Sequence, residues 1–230
     1  FIMDVKEGNA KINASAIFPH QVISEYLHTY SATRDTAIDE QWKALPNYME
    51  GSKENILPMC DTSGSMEGLP IDISISLGMY ISERNEGIFK DAFLTFSANP
   101  QMQYLKGDIF ERVMQLGRAD WDMNTDLEQS FELILDSAVR ETVPQNEMPT
   151  KILIISDMEF DQAINSCYQE VSDWNPTSME MIKEKYNKAG YQMPGIVFWN
   201  VNGRLGNVPT QAKTENTALV SGFSPAILTS

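Results

Sequence analysis

Histidine, cysteine and positive charge are all scarce in this chain, and each shortage closes off a class of function. There are two histidines, His20 and His28, in 230 residues. They lie eight positions apart on one predicted helix, which is not a usual ligand spacing. A Ser/His/Asp nucleophile arrangement has almost nothing to draw on. The two cysteines, Cys60 and Cys167, are too far apart in sequence to suggest a disulfide framework or a zinc motif. This usage points to a reducing compartment, so a cytoplasmic location is expected. Seventeen basic residues stand against 32 acidic ones, a formal net charge of −15. Most of this surface repels duplex or single-stranded nucleic acid, so no direct nucleic-acid binding is expected of it. No stretch approaches the roughly 18 apolar residues of a membrane span, and no signal peptide is visible. Repeats and low-complexity tracts are missing too. The chain opens without an initiator Met and closes where a helix is beginning, so a piece of a longer protein is expected.

What remains is an ordinary globular composition, 42% apolar and 21% charged. A chain this long buries about 70% of its surface on folding, enough for a core without staples. Residues 1–54 read as a helical segment, the remnant of an upstream helical region. Ser15 is expected to cap a helix with Pro19 in its first turn, running to about Tyr30. A second helix is expected from Thr36 to Met49, kinked or ended by Pro46. Gly51-Ser52 then punctuates the chain.

From residue 55 to 230 the pattern is strand, loop, helix, repeated. Ile56–Cys60 is a short apolar run, with Cys60 reading as a buried strand residue. Ala92–Phe96 is a strand, and Met102–Leu105 a short edge strand. Lys151–Ser156 is the clearest buried strand, followed by Gly195–Asn200 and Ala218–Ser221. Helices are expected near Pro70–Ser82, Ile109–Leu116, Asp126–Val139 and Ser178–Ala189, with a last one opening at Ser224-Pro225. Near-continuous Val/Ile/Leu runs between helices indicate parallel strands buried on both faces. The predicted class is α/β, a doubly wound, mostly parallel central sheet with helices on both faces.

Such sheets bind ligands outside the carboxyl ends of their strands. Two strands run into an aspartate there, Asp61 and Asp157. The loop Asp61-Thr62-Ser63-Gly64-Ser65 offers an oxygen at every second position, and in an extended conformation these three share one face. Gly64 is expected to permit a tight turn, and the next helix N-terminus to add backbone donors. Thr125, at the start of another helix, can turn its hydroxyl the same way. Two carboxylates with hydroxyls make a hard-oxygen site suited to Mg²⁺ or Mn²⁺, with Ca²⁺ a further candidate, rather than to zinc. Asp126, Glu159 and Asp161 read as rim or helix-start acids. Met66 is expected to pack beneath the loop, Trp199 to sit in the core, and Tyr191 and Trp174 to be available for contacts.

The run CDTSGSM (Cys60–Met66), the Thr125-Asp126 pair and Ile155-Ser156-Asp157 together resemble the metal-ion-dependent adhesion site (MIDAS) of von Willebrand factor A (vWA) domains, over residues 55–230. More narrowly, SDMEFD (Ser156–Asp161), AGYQMPGIVFWN (Ala189–Asn200), SGFS (Ser221–Ser224) and the upstream INASAIFPH and EQWKAL resemble the DUF2828 family. That family is similar in layout to the Ro/TROVE proteins, in which a helical-repeat ring is fused to the same module. The resemblance implies direct ligation by Ser63 and Ser65. It implies ligation by Asp61 and Asp157 directly or through water, and by Thr125 according to conformational state. The family's usual glycine before the threonine is Asn124 here.

A site of this type leaves a coordination position that a partner's carboxylate fills, and no general base stands beside it. The expected function is therefore a metal-dependent binding module for a protein ligand, not an enzyme. Two alternatives remain. One is a component of a Ro-like ribonucleoprotein whose RNA is held by a missing helical region. The other is a metal-dependent phosphatase of haloacid-dehalogenase type. The latter needs a second acid two residues after its aspartate, where this chain has Ser63.

Overall fold

The computed structural model describes residues 2–7, 10, 12, 14, 17–29, 33–95, 99–116, 127–157, 176–201, 217–222 and 224–229. Its centre is a six-stranded sheet. The strands are β1 (Ile56–Cys60), β2 (Ala92–Thr95), β3 (Met102–Tyr104), β4 (Lys151–Ser156), β5 (Gly195–Asn200) and β6 (Thr217–Ser221). Their spatial order is β3-β2-β1-β4-β5-β6. Every neighbouring pair is parallel except β2 with β3, which is antiparallel at one edge. The strand order therefore reverses between β1 and β4, which are in register from Ile56↔Lys151 to Cys60↔Ile155. In an open α/β sheet that reversal opens a crevice at the strand carboxyl ends.

The unbroken apolar runs divide between two faces because successive strand side chains point opposite ways. Leu57, Met59, Ile152, Ile154, Ile196 and Phe198 join one core. Cys60, Leu153, Ile155 and Trp199 join the other. Helices α6 (Leu127–Glu141) and α7 (Pro176–Ala189) cover the first face through Phe131, Ile134, Ile182 and Tyr186. Helices α4 (Leu69–Arg84) and α5 (Ile109–Leu116) cover the second.

The N-terminal segment adds a layer outside α4. It contains α1 (Ile2–Lys6), α2 (Pro19–His28) and α3 (Thr36–Lys43). The short α1 is not evident in the sequence. Val22, Ile23, Tyr26, Ile38 and Trp42 are buried in the same core as Ile73, Leu77 and Tyr80 of α4. Helix α4 thus lies between the sheet and α2–α3, and every residue from Asp72 to Ser82 is buried. A helix enclosed on all sides has no polar face to keep wet, and its buried serines bond to carbonyls instead: Ser74 to Ile155, Ser76 to Ile73 and Ser82 to Met79. Polar ties fix it at both ends. The Trp42 indole donates to Glu83 Oε2 at 2.6 Å, and the Tyr48 amide donates to the Tyr80 hydroxyl at 2.9 Å. His28 Nε2 and Asp72 Oδ2 are 2.7 Å apart.

Several expected boundaries move. Helix α2 begins at Pro19, with the Phe18 amide donating to the Gln21 side chain at 2.9 Å. The expected cap Ser15 and end Tyr30 lie outside the described residues. Helix α3 stops at Lys43 rather than continuing to Met49, consistent with Pro46 disfavouring helix before it. The closing helix is a 3₁₀ turn, Pro225–Thr229.

Candidate metal centre

Asp61 follows β1 directly. Its amide donates to the Ile155 carbonyl at 3.0 Å, which extends the β1–β4 ladder by one step. The side chain is thereby delivered into the crevice at the strand reversal, 2% exposed. Both carboxylate oxygens accept hydrogen bonds. The Ser63 amide donates to Oδ1 at 2.8 Å, a local Asx turn, and the Ser156 hydroxyl donates to Oδ2 at 2.5 Å. Ser156 itself is fully buried, and Asp157, the next residue, is 4% exposed.

The backbone is extended at Ser63 (φ −58°, ψ 164°) and then tightens into a 3₁₀ turn, Gly64–Met66. The loop therefore does not stay extended as far as Ser65. The serines converge all the same, with their hydroxyl oxygens 3.1 Å apart. Met66 packs beneath the loop, fully buried, as expected. One expectation about the backbone needs correcting. Gly64 has an ordinary negative-side conformation with open space where a Cβ would stand, so the tight turn does not require glycine there. The position that does is Gly68, at φ +89°, which caps α4. Within the turn, the Met66 and Glu67 amides bond to the Ser63 and Gly64 carbonyls.

Electrostatics set the tension in the site. Burial pushes the Asp61 carboxyl above its usual range, and the charge of Asp157 pushes it the same way; hydrogen bonds from Ser156 and Ser63 oppose both. A buried carboxylate whose ionisation is opposed by burial and by a neighbouring charge fits a dication, which relieves both at Asp61. Among the described residues no group of three or more His, Cys, Asp or Glu side chains could hold a metal. A cation at this edge would need hydroxyl oxygens beside Asp61 and Asp157, and such a hard-oxygen set would suit Mg²⁺ or Mn²⁺.

Of the expected ligands, Asp61, Ser63, Ser65 and Asp157 gather at this edge; Thr125 lies outside the described residues. So do Asn124, Asp126, Glu159, Asp161, Cys167 and Trp174. Ser156 is the residue whose role sequence reasoning misses. Its signal is a lone hydroxyl ending the otherwise apolar buried run Ile152–Ile155, in register beside the strand that carries Asp61. Tyr191 is not a free contact residue, because its hydroxyl donates to the Val143 carbonyl at 2.8 Å. Trp199 is core, 1% exposed, with its indole donating to the Gly222 carbonyl at 2.6 Å. The histidines do not form a ligand pair. His20 is buried, with its pKa lowered mainly by desolvation, while His28 pairs with Asp72.

A family profile described as "Domain of unknown function (DUF7788)" matches residues 55–230. The chain belongs to the DUF7788 family. The finer motif likeness points to DUF2828, and the profile that matches is DUF7788 instead. This DUF7788 chain is also similar to the "Uncharacterized protein L728" of Acanthamoeba polyphaga mimivirus, 28% identical over 232 residues. That similarity covers 99% of this chain and 39% of the viral protein, so the chain spans about two fifths of its relative. Among solved structures it resembles the Ro (RSR) protein of Deinococcus radiodurans. The TM-score is 0.53 at 14% identity, covering 99% of this chain and 45% of that one. This likeness establishes a shared vWA-like α/β fold. Among the described residues no helix is long and apolar enough to cross a membrane.

Proposed function

We propose that this domain is a divalent-cation-dependent binding module of the MIDAS type, acting inside the cell. Asp61, Ser63, Ser65 and Asp157 would hold Mg²⁺ or Mn²⁺, joined by Thr125, and a carboxylate from a protein partner would complete the coordination. The observation that carries this reading is the convergence of Asp61 and the Ser63–Ser65 hydroxyl pair at the sheet's reversal point, with Asp157 beside them. A dication beside two carboxylates is charge-neutral and accepts a further anion. Binding is favoured over hydrolysis because no histidine reaches the described site and Ser63 stands where a phosphatase of the haloacid-dehalogenase type needs its second acid. Calorimetric titration of Mg²⁺ and Mn²⁺ into the wild type and Asp61→Ala tests the proposal. Equal affinities in the two proteins would overturn it.

A second reading is a place in a Ro-like ribonucleoprotein. It is supported by a structural likeness that runs through 99% of this chain, N-terminal helices included. With 17 basic residues against 32 acidic, RNA would have to be held by a part of the longer protein beyond this chain. Salt-sensitive RNA binding by these 230 residues alone would contradict that arrangement.

A further inference from the structure

Strand β3 forms one edge of the sheet, and half of its backbone polar groups face away from β2. The Thr95 amide donates to the Gln101 carbonyl at 3.0 Å, and the Leu105 amide donates to the Asp91 carbonyl at 2.8 Å. Residues 101, 103 and 105 therefore turn their polar groups toward β2, and Met102 and Tyr104 turn theirs outward. A side chain closes one end of this outer row. Gln115 Nε2 donates to the Tyr104 carbonyl at 2.8 Å, and the Lys106 amide donates to Gln115 Oε1 at 3.2 Å. Bridging one carbonyl and the amide two residues on is what a residue of a parallel strand does. The Met102 amide and carbonyl and the Tyr104 amide continue the row, and no strand among the described residues pairs with them.

Beside this edge runs a groove of about 730 Å³, within the range of small ligand sites. Met102 and Tyr104 line it from β3, sharing a face as residues two apart on a strand do. The Tyr104 hydroxyl lies 3.5 Å from Met102 Sδ. Leu133 and Ser137 line the groove from α6, and Ile88 and Phe89 line it from the turn before β2. Ile88 and Tyr104 remain 38% and 39% exposed, an apolar surface left in water. The two charged residues of the lining, Arg140 and Glu141, bond to each other at 3.0 Å. The groove is thus neutral within a chain of net charge −15. It follows β3 from Met102, level with Leu94, to Tyr104, level with Ala92, away from the strand carboxyl ends that carry Asp61.

We infer that β3 and this groove take up a short, extended, uncharged segment of another protein as an added strand. Its backbone would complete the row that Gln115 begins, and apolar side chains two positions apart would enter the groove. A charged side chain there would lose its water and find Arg140 and Glu141 already engaged with each other. Gln115 and Lys106 block the Tyr104 end of the edge, which limits pairing to a few residues and guards against open-ended sheet growth. A second copy of the chain fits less well. An edge of three residues offers far less than the roughly 800 Å² per partner of a stable interface, and two chains of net charge −15 repel each other. The inference is independent of the metal-binding reading.

The test uses the whole 230-residue chain and a fluorescent peptide of alternating Thr and Val between glycines. It is expected to bind at least about tenfold tighter than a peptide of the same composition with its valines adjacent. Hydrogen exchange at the Met102 and Tyr104 amides should slow when it binds, while the Leu105 amide, already bonded to Asp91, should not change. N-methylating the Val amides or the Thr amides blocks one edge of the peptide at a time. One set should remove binding and the other should be tolerated. Met102→Pro deletes an outward amide without touching the β2 ladder, and Ser137→Glu places a charge in the groove from a half-buried helix position; each should weaken binding. EDTA should leave it unchanged. Equal binding of the two methylated peptides, or unaltered exchange at Met102 and Tyr104, would overturn strand addition. Tighter binding of a peptide with one Val replaced by Asp or Lys would overturn the uncharged partner. A chain that sediments as a dimer with these amides protected in the absence of peptide would assign the edge to a second copy and overturn the inference.

Discussion

The Ser156 hydroxyl donates to Asp61 Oδ2 across 2.5 Å, joining the carboxyl ends of β4 and β1 at the one place where the sheet reverses its strand order. Both residues are essentially excluded from solvent. The bond stabilises the charged carboxylate against burial and fixes which way its oxygens face. Groups that orient a metal ligand in this manner typically cost 10–100-fold in metal affinity when removed, so roughly tenfold weaker Mg²⁺ binding is expected of Ser156→Ala. Ser156→Thr, which keeps the hydroxyl, should retain most of the affinity. Titration calorimetry checks both, and near-wild-type affinity in Ser156→Ala would show that the bond does not position Asp61 for metal.

A second close relationship lies one layer away. A Cβ built on Gly78 would stand 2.1 Å from Cys60 Sγ and 3.9 Å from its Cβ. Helix α4 therefore sits on β1 at a separation only glycine allows. Two effects oppose each other in Gly78→Ala. Helix propensity favours alanine by about 1 kcal/mol. Overpacking a closed core costs about 1–3 kcal/mol. The sulfur is fully buried, so relieving the contact means repacking the core around it, and the variant is expected to lose stability, by a few degrees in melting temperature. Removing the sulfur should reverse the sign. In a Cys60→Ala background the contact at 3.9 Å is ordinary, and Gly78→Ala should then be neutral or stabilising. Additive losses in the double variant would rule out this contact as the cause.

Burial also controls the chemistry of that sulfur. The Cys60 thiol is pushed up to about 12, chiefly by desolvation, with the Asp61 charge adding to it and a hydrogen bond with Ser74 opposing. The thiolate is the reactive form, so Cys60 should resist alkylation at about pH 8 in the folded protein and react once urea exposes it. The same shift has a stability consequence. Between the unfolded thiol's ordinary pKa and about 12, the folded state keeps a proton that the unfolded state has released. Stability contributed by this group is therefore full below that window and declines as pH rises through it. Burial raises Tyr80 and Tyr186 in the same direction, steepening the alkaline loss. Mass mapping of labelled peptides, and urea melts between about pH 8 and about 11, check the two parts. Rapid labelling of Cys60 in the native protein would contradict the first.

The fold class is legible because burial on both faces leaves a strand no polar positions: Lys151–Ser156 and Gly195–Asn200 read as they fold. Asp61 and Asp157 are legible because each ends such a run. Ser156 belongs to the recognisable Ile155-Ser156-Asp157 motif, yet its role stays hidden, since pairing between β1 and β4 is a long-range fact that neither segment contains alone. The extra layer over α4 is hidden for a similar reason. A helix with apolar residues on every side, as α4 has, looks the same whether its second partner is a sheet, a helix or another chain. Residues 1–54 differ in pattern from residues 55–230, but their buried side chains enter the same core as Leu77 and Tyr80. Pattern shifts mark where the secondary structure changes, not where packing stops.

That shared core leads to a last expectation. Cutting the chain at residue 55 would strip α2 and α3 from α4. Ile23, Tyr26 and Trp42, at most 3% exposed, would lose their places, and the outer face of α4 would meet water. Each large apolar side chain is worth about 1.5–3 kcal/mol when buried, so the loss of several rivals the roughly 5–15 kcal/mol that holds a typical domain together. Polar losses add to it. The Tyr80 hydroxyl would lose Tyr48 and Pro46, Glu83 would lose Trp42, and Asp72 would be left without His28. Residues 55–230 alone are therefore expected to melt at least about 10 °C below the full chain or to bind a hydrophobic dye such as ANS. Restoring residues 1–54 as a separate peptide should raise the melting temperature, since Ile23, Tyr26 and Trp42 would refill the same core. A fragment 55–230 that melts cooperatively at the full-chain temperature, without dye binding, would show that the N-terminal layer is dispensable and that α4 is stabilised by the sheet alone.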